Sequence, residues 1–181
     1  MSLNHVEFPY IPSVVDKSDM AVVKNLLVEM SLTRDRIKIL EYGTGYSAIY
    51  YPIFMEKEGI NYKWHSVEHD KIWSQKIDKL IVDYAVNSKV WLCEVPLRNL
   101  RKCGNHSSKI RYARYPELIE GKFDLIYVDG RIRNRCLNVC KNYLKEDGVI
   151  LLDNADRKFY HQSLKQFNGE FIKPYIWRGT I

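Results

Sequence analysis

Glu41, Gly43, Gly45 and Ser47 crowd the end of one apolar run, in Leu40-Glu41-Tyr42-Gly43-Thr44-Gly45-Tyr46-Ser47. Glycine suits a turn whose backbone must approach a ligand or take a positive φ. If a helix follows, its first N–H groups lack partners and favour a carboxylate or phosphate. The same Gly-x-Gly is also compatible with a plain tight turn. Glu68 ends the next apolar run. An acid about 20 residues beyond such glycines is placed to accept hydrogen bonds from ribose hydroxyls. Capping the turn before Lys71 is its alternative role. Glu94, Asp129 and the pair Asp153-Asn154 end three further runs. Acids there can take a proton from an acceptor or ligate a divalent cation. Asp129 is the leading candidate on the acceptor side, as base or metal ligand, with His69 and Arg131 behind it.

These residues are useful only if the chain brings them together. Met20, Val23, Leu27 and Met30 recur at helical spacing, with Asp16 or Ser18 to cap that helix. Strands are expected over 37–42, 62–68, 89–95, 123–130 and 148–153. Helices are expected over 47–58, where Pro52 is awkward, and after Asp70, with Trp73, Ile77, Leu80 and Tyr84 on one face. A further helix carries Ile132, Cys136, Val139, Cys140, Tyr143 and Leu144. Asp156 is expected to cap a last one, bearing Phe159, Tyr160, Leu164 and Phe167. Strand and helix alternate throughout, which predicts an α/β fold: a Rossmann-like, doubly wound, mostly parallel sheet in three αβα layers. Ligands of such sheets sit beyond the carboxyl ends of the strands, where strand order reverses. The polar strand ends therefore share one site.

The chain of 181 residues and 21.4 kDa is the size of one domain. We divide it into an N-terminal arm and helix over 1–35 and a ligand-binding core over 36–181. An aromatic share of 13% and the lack of polar tracts disfavour disorder. No apolar run nears the ~20 residues of a membrane helix. The polar start of the chain has no hydrophobic signal core, so a cytoplasmic location is expected. Cys93, Cys103, Cys136 and Cys140 lack metal-site spacing and read as buried thiols. The net charge is +6. Basic residues gather at Arg98, Arg101, Lys102, Lys109, Arg111 and Arg114, then at Arg131, Arg133 and Arg135. Such clusters suit an anionic substrate or nucleic acid, or are an ordinary solvated surface.

The segments 40–47, 66–70, 123–130 and 148–154 together resemble the class I S-adenosylmethionine-dependent methyltransferases, in order and interval. The resemblance implies that Glu41, Gly43 and Gly45 line the methionine and ribose end of the donor. It implies that Glu68 holds the ribose hydroxyls and that a residue near Glu94 faces the adenine. Cation-using O-methyltransferases of this kind bind magnesium through an acid after the fourth strand and an Asp-Asn pair after the fifth, here Asp129, Asp153 and Asn154. The lysine expected three residues after the fourth-strand acid is Ile132 in this chain. A narrower likeness is to small methyltransferase-like proteins with Val-Asp-Gly-Arg-x-Arg, here Val128 to Arg133. The implied function is methylation of an oxygen on a small or anionic acceptor, with S-adenosylmethionine as donor.

Two other readings compete. Gly43-x-Gly45-x-x-Ala48 also satisfies a dinucleotide fingerprint, but the stretch after Asp153 is short for a nicotinamide enzyme's remaining strands. A non-catalytic module binding nucleic acid on the same fold is the second. The stretch from Glu94 to Lys122, with His106, Tyr112 and Tyr115, is long for one connection and could form a lid over an anionic acceptor. At the other end, Glu170 to Ile181 holds Pro174 and is expected to supply one strand, leaving a truncated hairpin. That edge would need cover from a second copy, giving a homodimer, or from the arm around Phe8 to Ile11.

Overall fold

The computed structural model describes residues 17–93, 115–117 and 119–181. Seven strands form one sheet: β1 (Ile37–Tyr42), β2 (Tyr62–Glu68), β3 (Ser88–Leu92), β4 (Phe123–Val128), β5 (Leu144–Asp153), β6 (Asn168–Lys173) and β7 (Ile176–Thr180). Their order is β3-β2-β1-β4-β5-β7-β6. The first five strands run parallel, and β7 is antiparallel to both β5 and β6. Strand order reverses between β1 and β4, so a crevice opens where their following loops diverge.

The helices are α1 (Lys17–Ser31), α2 (Ser47–Lys57), α3 (Lys71–Asp83), α4 (Arg133–Tyr143) and the single turn α5 (His161–Leu164). Alternation along β1 explains the layers. Ile37 and Ile39 join Leu27, Ile49 and Ile77 in a core beneath α1, α2 and α3. Leu40 and Tyr42 face the other way, with Cys136, Leu137, Cys140 and Trp177 beneath α4. The three expected layers are present. Cys136 and Cys140 are buried free thiols and Cys93 is half-buried; Cys103 lies outside the described residues, as do Asp16 and the arm from Phe8 to Ile11.

Pro52 is accommodated by a substitute donor. In an α-helix, residue 52 would donate to the Ala48 carbonyl, and proline cannot. The Ser88 hydroxyl donates to that carbonyl instead, at 2.8 Å. At the amino end of the sheet, Asp124 is 1% exposed yet fully engaged. Its Oδ1 accepts from Arg34 Nε at 3.0 Å and Lys145 Nζ at 2.8 Å, and its Oδ2 from the Lys38 amide at 2.8 Å. That carboxylate ties β1, β4 and β5 together.

Three expectations are corrected. The C-terminal hairpin is complete, because β6 begins at Asn168 and Pro174-Tyr175 forms the turn rather than part of a strand. Proline's missing donor costs nothing at a turn tip. Asp156 caps no helix: the chain there makes a 3₁₀ turn, Lys158–Tyr160, preceded by Arg157 without a side-chain cap, and Phe159 is 62% exposed. The last strand edge mixes polar and apolar residues. Along β6, Asn168, Gly169, Glu170 and Phe171 are exposed, and the edge belongs to a complete hairpin rather than a truncated one. No helix among the described residues is long and apolar enough to cross a membrane.

Candidate functional site

A cleft of about 740 Å³ opens at the carboxyl ends of the central strands. One wall is the turn after β1, the end of β2 and the start of α3; the other is the turn after β4. Asn154, Arg157 and Tyr160 close the third side. The floor is backbone. Gly43 has φ +91°, and a Cβ there would lie 2.4 Å from Gly130 Cα. A Cβ on Gly130 would lie 2.2 Å from the Tyr115 hydroxyl, which donates to Val67 O at 3.0 Å. Gly43 N also donates to Val67 O, at 2.9 Å. Both glycines are required because the two turns touch.

Trp73 Nε1 donates to Thr44 O at 2.8 Å and holds the glycine turn against α3. The Thr44 side-chain hydroxyl is buried in the cleft wall and has no hydrogen-bond partner among the described residues. An orphaned hydroxyl there fits a polar ligand lying on the turn. Tyr46 precedes α2 and makes no capping bond from its side chain; the Ala48 and Ile49 amides donate to Gly45 O at 3.1 Å and Tyr46 O at 3.0 Å, so the helix start is largely satisfied within its own turn.

Glu41 does not line the cleft, contrary to expectation. It is 0% exposed, accepting from Ser47 Oγ, from Trp64 Nε1 at 3.0 Å and from Ser66 Oγ at 2.6 Å. Burial pushes its carboxyl up to about 7, against the pull of those donors. Ser47 is likewise spent on Glu41. These two brace the glycine turn from beneath. Gly43 and Glu68 do line the cleft, whereas Gly45 is absent from its lining. Glu94 lies outside the described residues, as does the basic stretch over 98–114.

Glu68 sits where the reading of β2 places it. Its Oε1 accepts from the His69 and Asp70 amides at 2.6 and 2.9 Å, and its Oε2 from the Thr44 amide at 3.1 Å. Burial raises this carboxyl, but the His69 ring and those amides outweigh it and hold it below the usual range. His69 Nδ1 is 2.5 Å from Oε1, which ties the ring to the end of β2.

Asp129 and Asp153 are brought together around an arginine, while Asn154 bonds a different one. Arg133, the first residue of α4, is 8% exposed. Its Nε donates to Gly130 O at 3.0 Å and its Nη2 to Asp129 O and Oδ1 at 2.7 and 2.6 Å. Its Nη1 donates to Asp153 O, and to Asp153 Oδ2 at 3.4 Å. Asn154 Oδ1 accepts from Arg157 Nη2 at 3.1 Å. The donor set expected to hold magnesium thus already has a cation within it, and does not fit a metal ion. No group of three or more His, Cys, Asp or Glu that could hold a metal occurs among the described residues. Enclosure at the strand ends and the Asp153 carboxylate beside it push Asp129 well above the usual carboxylate range, against the attraction of Arg133. The Asp129 side chain remains 40% exposed to the cleft.

Two turn residues set this arrangement. Ile132 and Asn154 take left-handed backbone, φ +44° and +49°. Asparagine tolerates that region; a β-branched isoleucine there is strained. The left-handed Ile132 turns Arg133 inward and leaves Arg131 exposed on the cleft lip. Arg133 is the site residue that sequence reasoning passed over in favour of Arg131. Its signal was its position four residues after Asp129, at a helix start. Thr44, Asp70, Trp73, Arg157 and Tyr160 also line the cleft unassigned.

No protein-family model matches the chain, and no curated protein does. Solved structures do. A Staphylococcus aureus protein provisionally assigned as a caffeoyl-CoA O-methyltransferase superposes with TM-score 0.59 at 16% identity, over 92% of this chain and 84% of its own. Precorrin-6y C5,15-methyltransferase from Geobacter metallireducens GS-15 gives 0.58 at 12%, over 96% and 93%. Ribosomal protein L11 methylase from Lactobacillus delbrueckii subsp. bulgaricus gives 0.55 at 14%, over 89% and 77%. This chain has the fold of the class I S-adenosylmethionine-dependent methyltransferases.

Proposed function

We propose that this chain transfers a methyl group from S-adenosylmethionine to an oxygen of a small or anionic acceptor. The observation that carries the reading is the backbone-floored cleft at the strand-order reversal, with Gly43, Thr44 and Glu68 on one wall. The residues there suit a nucleoside with a charged tail. The Thr44 hydroxyl is unsatisfied and is placed to meet a polar group of that tail. Glu68 Oε2 accepts only the Thr44 amide among the described residues, leaving lone pairs for a ribose hydroxyl. When bound, the donor supplies an electrophilic methyl on a sulfonium.

The chain's remaining task is to align the acceptor and remove its proton. Asp129 faces the cleft with its side chain 40% exposed, and is the carboxylate placed to take that proton. Arg131 and Arg157 stand on the cleft rim with no carboxylate partner among the described residues. They favour an acceptor bearing a carboxylate or phosphate. Magnesium has no part in this scheme.

Calorimetric titration with S-adenosylmethionine and with S-adenosylhomocysteine tests the reading. Saturable heat with both is expected, weakened in Glu68→Gln. No heat, and no thermal shift at millimolar ligand, would overturn it. Salt-dependent binding of an oligonucleotide without donor binding would favour the nucleic-acid module instead.

A further inference from the structure

An arginine side chain carries five N–H hydrogens, in a planar fork, and no acceptor. Arg133 engages five oxygens with them: the carbonyls of Asp129, Gly130 and Asp153, and one carboxylate oxygen each of Asp129 and Asp153. None is left over for a ligand. The side chain is 9% exposed, so its charge acts on the two acids rather than on the solvent. It spans the carboxyl ends of β4 and β5, the strands that carry the acids. Ile132 accepts a strained conformation to put it there.

A divalent cation held by Asp129 and Asp153 would have to displace this guanidinium or lie against its charge. Magnesium also requires near-octahedral oxygens at roughly 2.0–2.1 Å. Here both carboxylates are already turned to a planar donor. We propose that Arg133 is a built-in cation standing where a divalent metal ion would stand, so that the Asp129–Asp153 pair binds none. Loss of the guanidinium then converts the pair into a divalent-cation site, since two neighbouring acids are left without a counter-charge.

The proposal does not depend on methyl transfer, because its readout is the metal alone. Mn²⁺ is titrated against the protein and the free ion is followed by electron paramagnetic resonance, with Mg²⁺ competition. The wild type is expected to show no saturable binding. Arg133→Met is expected to bind one ion at least roughly tenfold more tightly than any wild-type association. Adding Asp153→Asn to that variant should remove the binding. Saturable Mn²⁺ binding by the wild type that Asp153→Asn abolishes would overturn the proposal. So would an Arg133→Met protein with a native circular dichroism spectrum and cooperative melt that binds no Mn²⁺. If Arg133→Met does not fold, wild type against Asp153→Asn decides alone: saturable binding lost in the variant overturns it, and none in either supports it.

Discussion

Burial and partnership, more than residue type, decide what each acid of this cleft can do. Glu41 and Glu68 both end or nearly end a parallel strand, yet their carboxyls shift in opposite directions. Glu68 meets backbone amides and a histidine; Glu41 meets two hydroxyls and an indole deep under the turn. The raised carboxyl of Glu41 has a stability consequence. Folding favours its protonated form, so the contribution is intact below the usual carboxylate range and is lost as pH rises toward about 7. Between pH 5 and 8 that amounts to roughly 2–3 kcal/mol. Urea unfolding of wild type and Glu41→Gln across that range measures it. The wild type should lose stability with rising pH more steeply than the variant; parallel curves would refute the assignment. Arg133 teaches the same lesson for basic residues. Two arginines two apart look alike in sequence, and only the handedness of the residue between them settles which one turns inward.

Among the elements, β1, β2, β4 and β5 were legible because each is apolar and punctuated by an acid or glycine, whereas β3 is short, half-exposed and ends at Leu92, before the expected Val95. The C-terminal hairpin was not. β6 begins Asn168-Gly169-Glu170, all exposed, and so lacks the alternation that marks a half-buried strand. Pro174 then reads as an interruption when it is the turn. The burial of Glu41 was hidden for a related reason, since Trp64 and Ser66 reach it only across the β1–β2 pairing. Pro52 was noticed, but its remedy comes from β3 and has no local signal. That remedy predicts non-additivity. Ser88→Ala alone leaves the Ala48 carbonyl unpaired and should cost about 1 kcal/mol. In a Pro52→Ala background the new amide can serve that carbonyl, so the same change should cost clearly less. A double-mutant cycle by chemical denaturation reads the difference, and equal costs would show that Ser88 does not serve the proline.

At the scale of the molecule, the sheet is closed by its last two strands. β7 pairs with β5 over Ile150–Asp153, and β6 pairs with β7. Trp177 lies across both glycines of that pair: a Cβ on Gly169 or Gly179 would come within 2.2 or 2.0 Å of its ring. Gly179→Ala should therefore push the indole out, destabilise by roughly 1–3 kcal/mol, and alter tryptophan emission. Retained stability with unchanged emission would mean that the hairpin is looser than it looks.

The Asp124 clasp has a consequence for how the chain is made. β1 finds β2 soon after emerging from the ribosome, but its other neighbour, β4, comes much later; Lys38 and its partner Asp124 are 86 positions apart. At ordinary translation rates of 5–20 residues per second, that is a wait of roughly 4 to 17 s. Throughout it, one side of a largely buried strand has no partner. The nascent chain is most exposed to mispairing in this interval, and chaperone occupancy on the ribosome should peak before β4 is released.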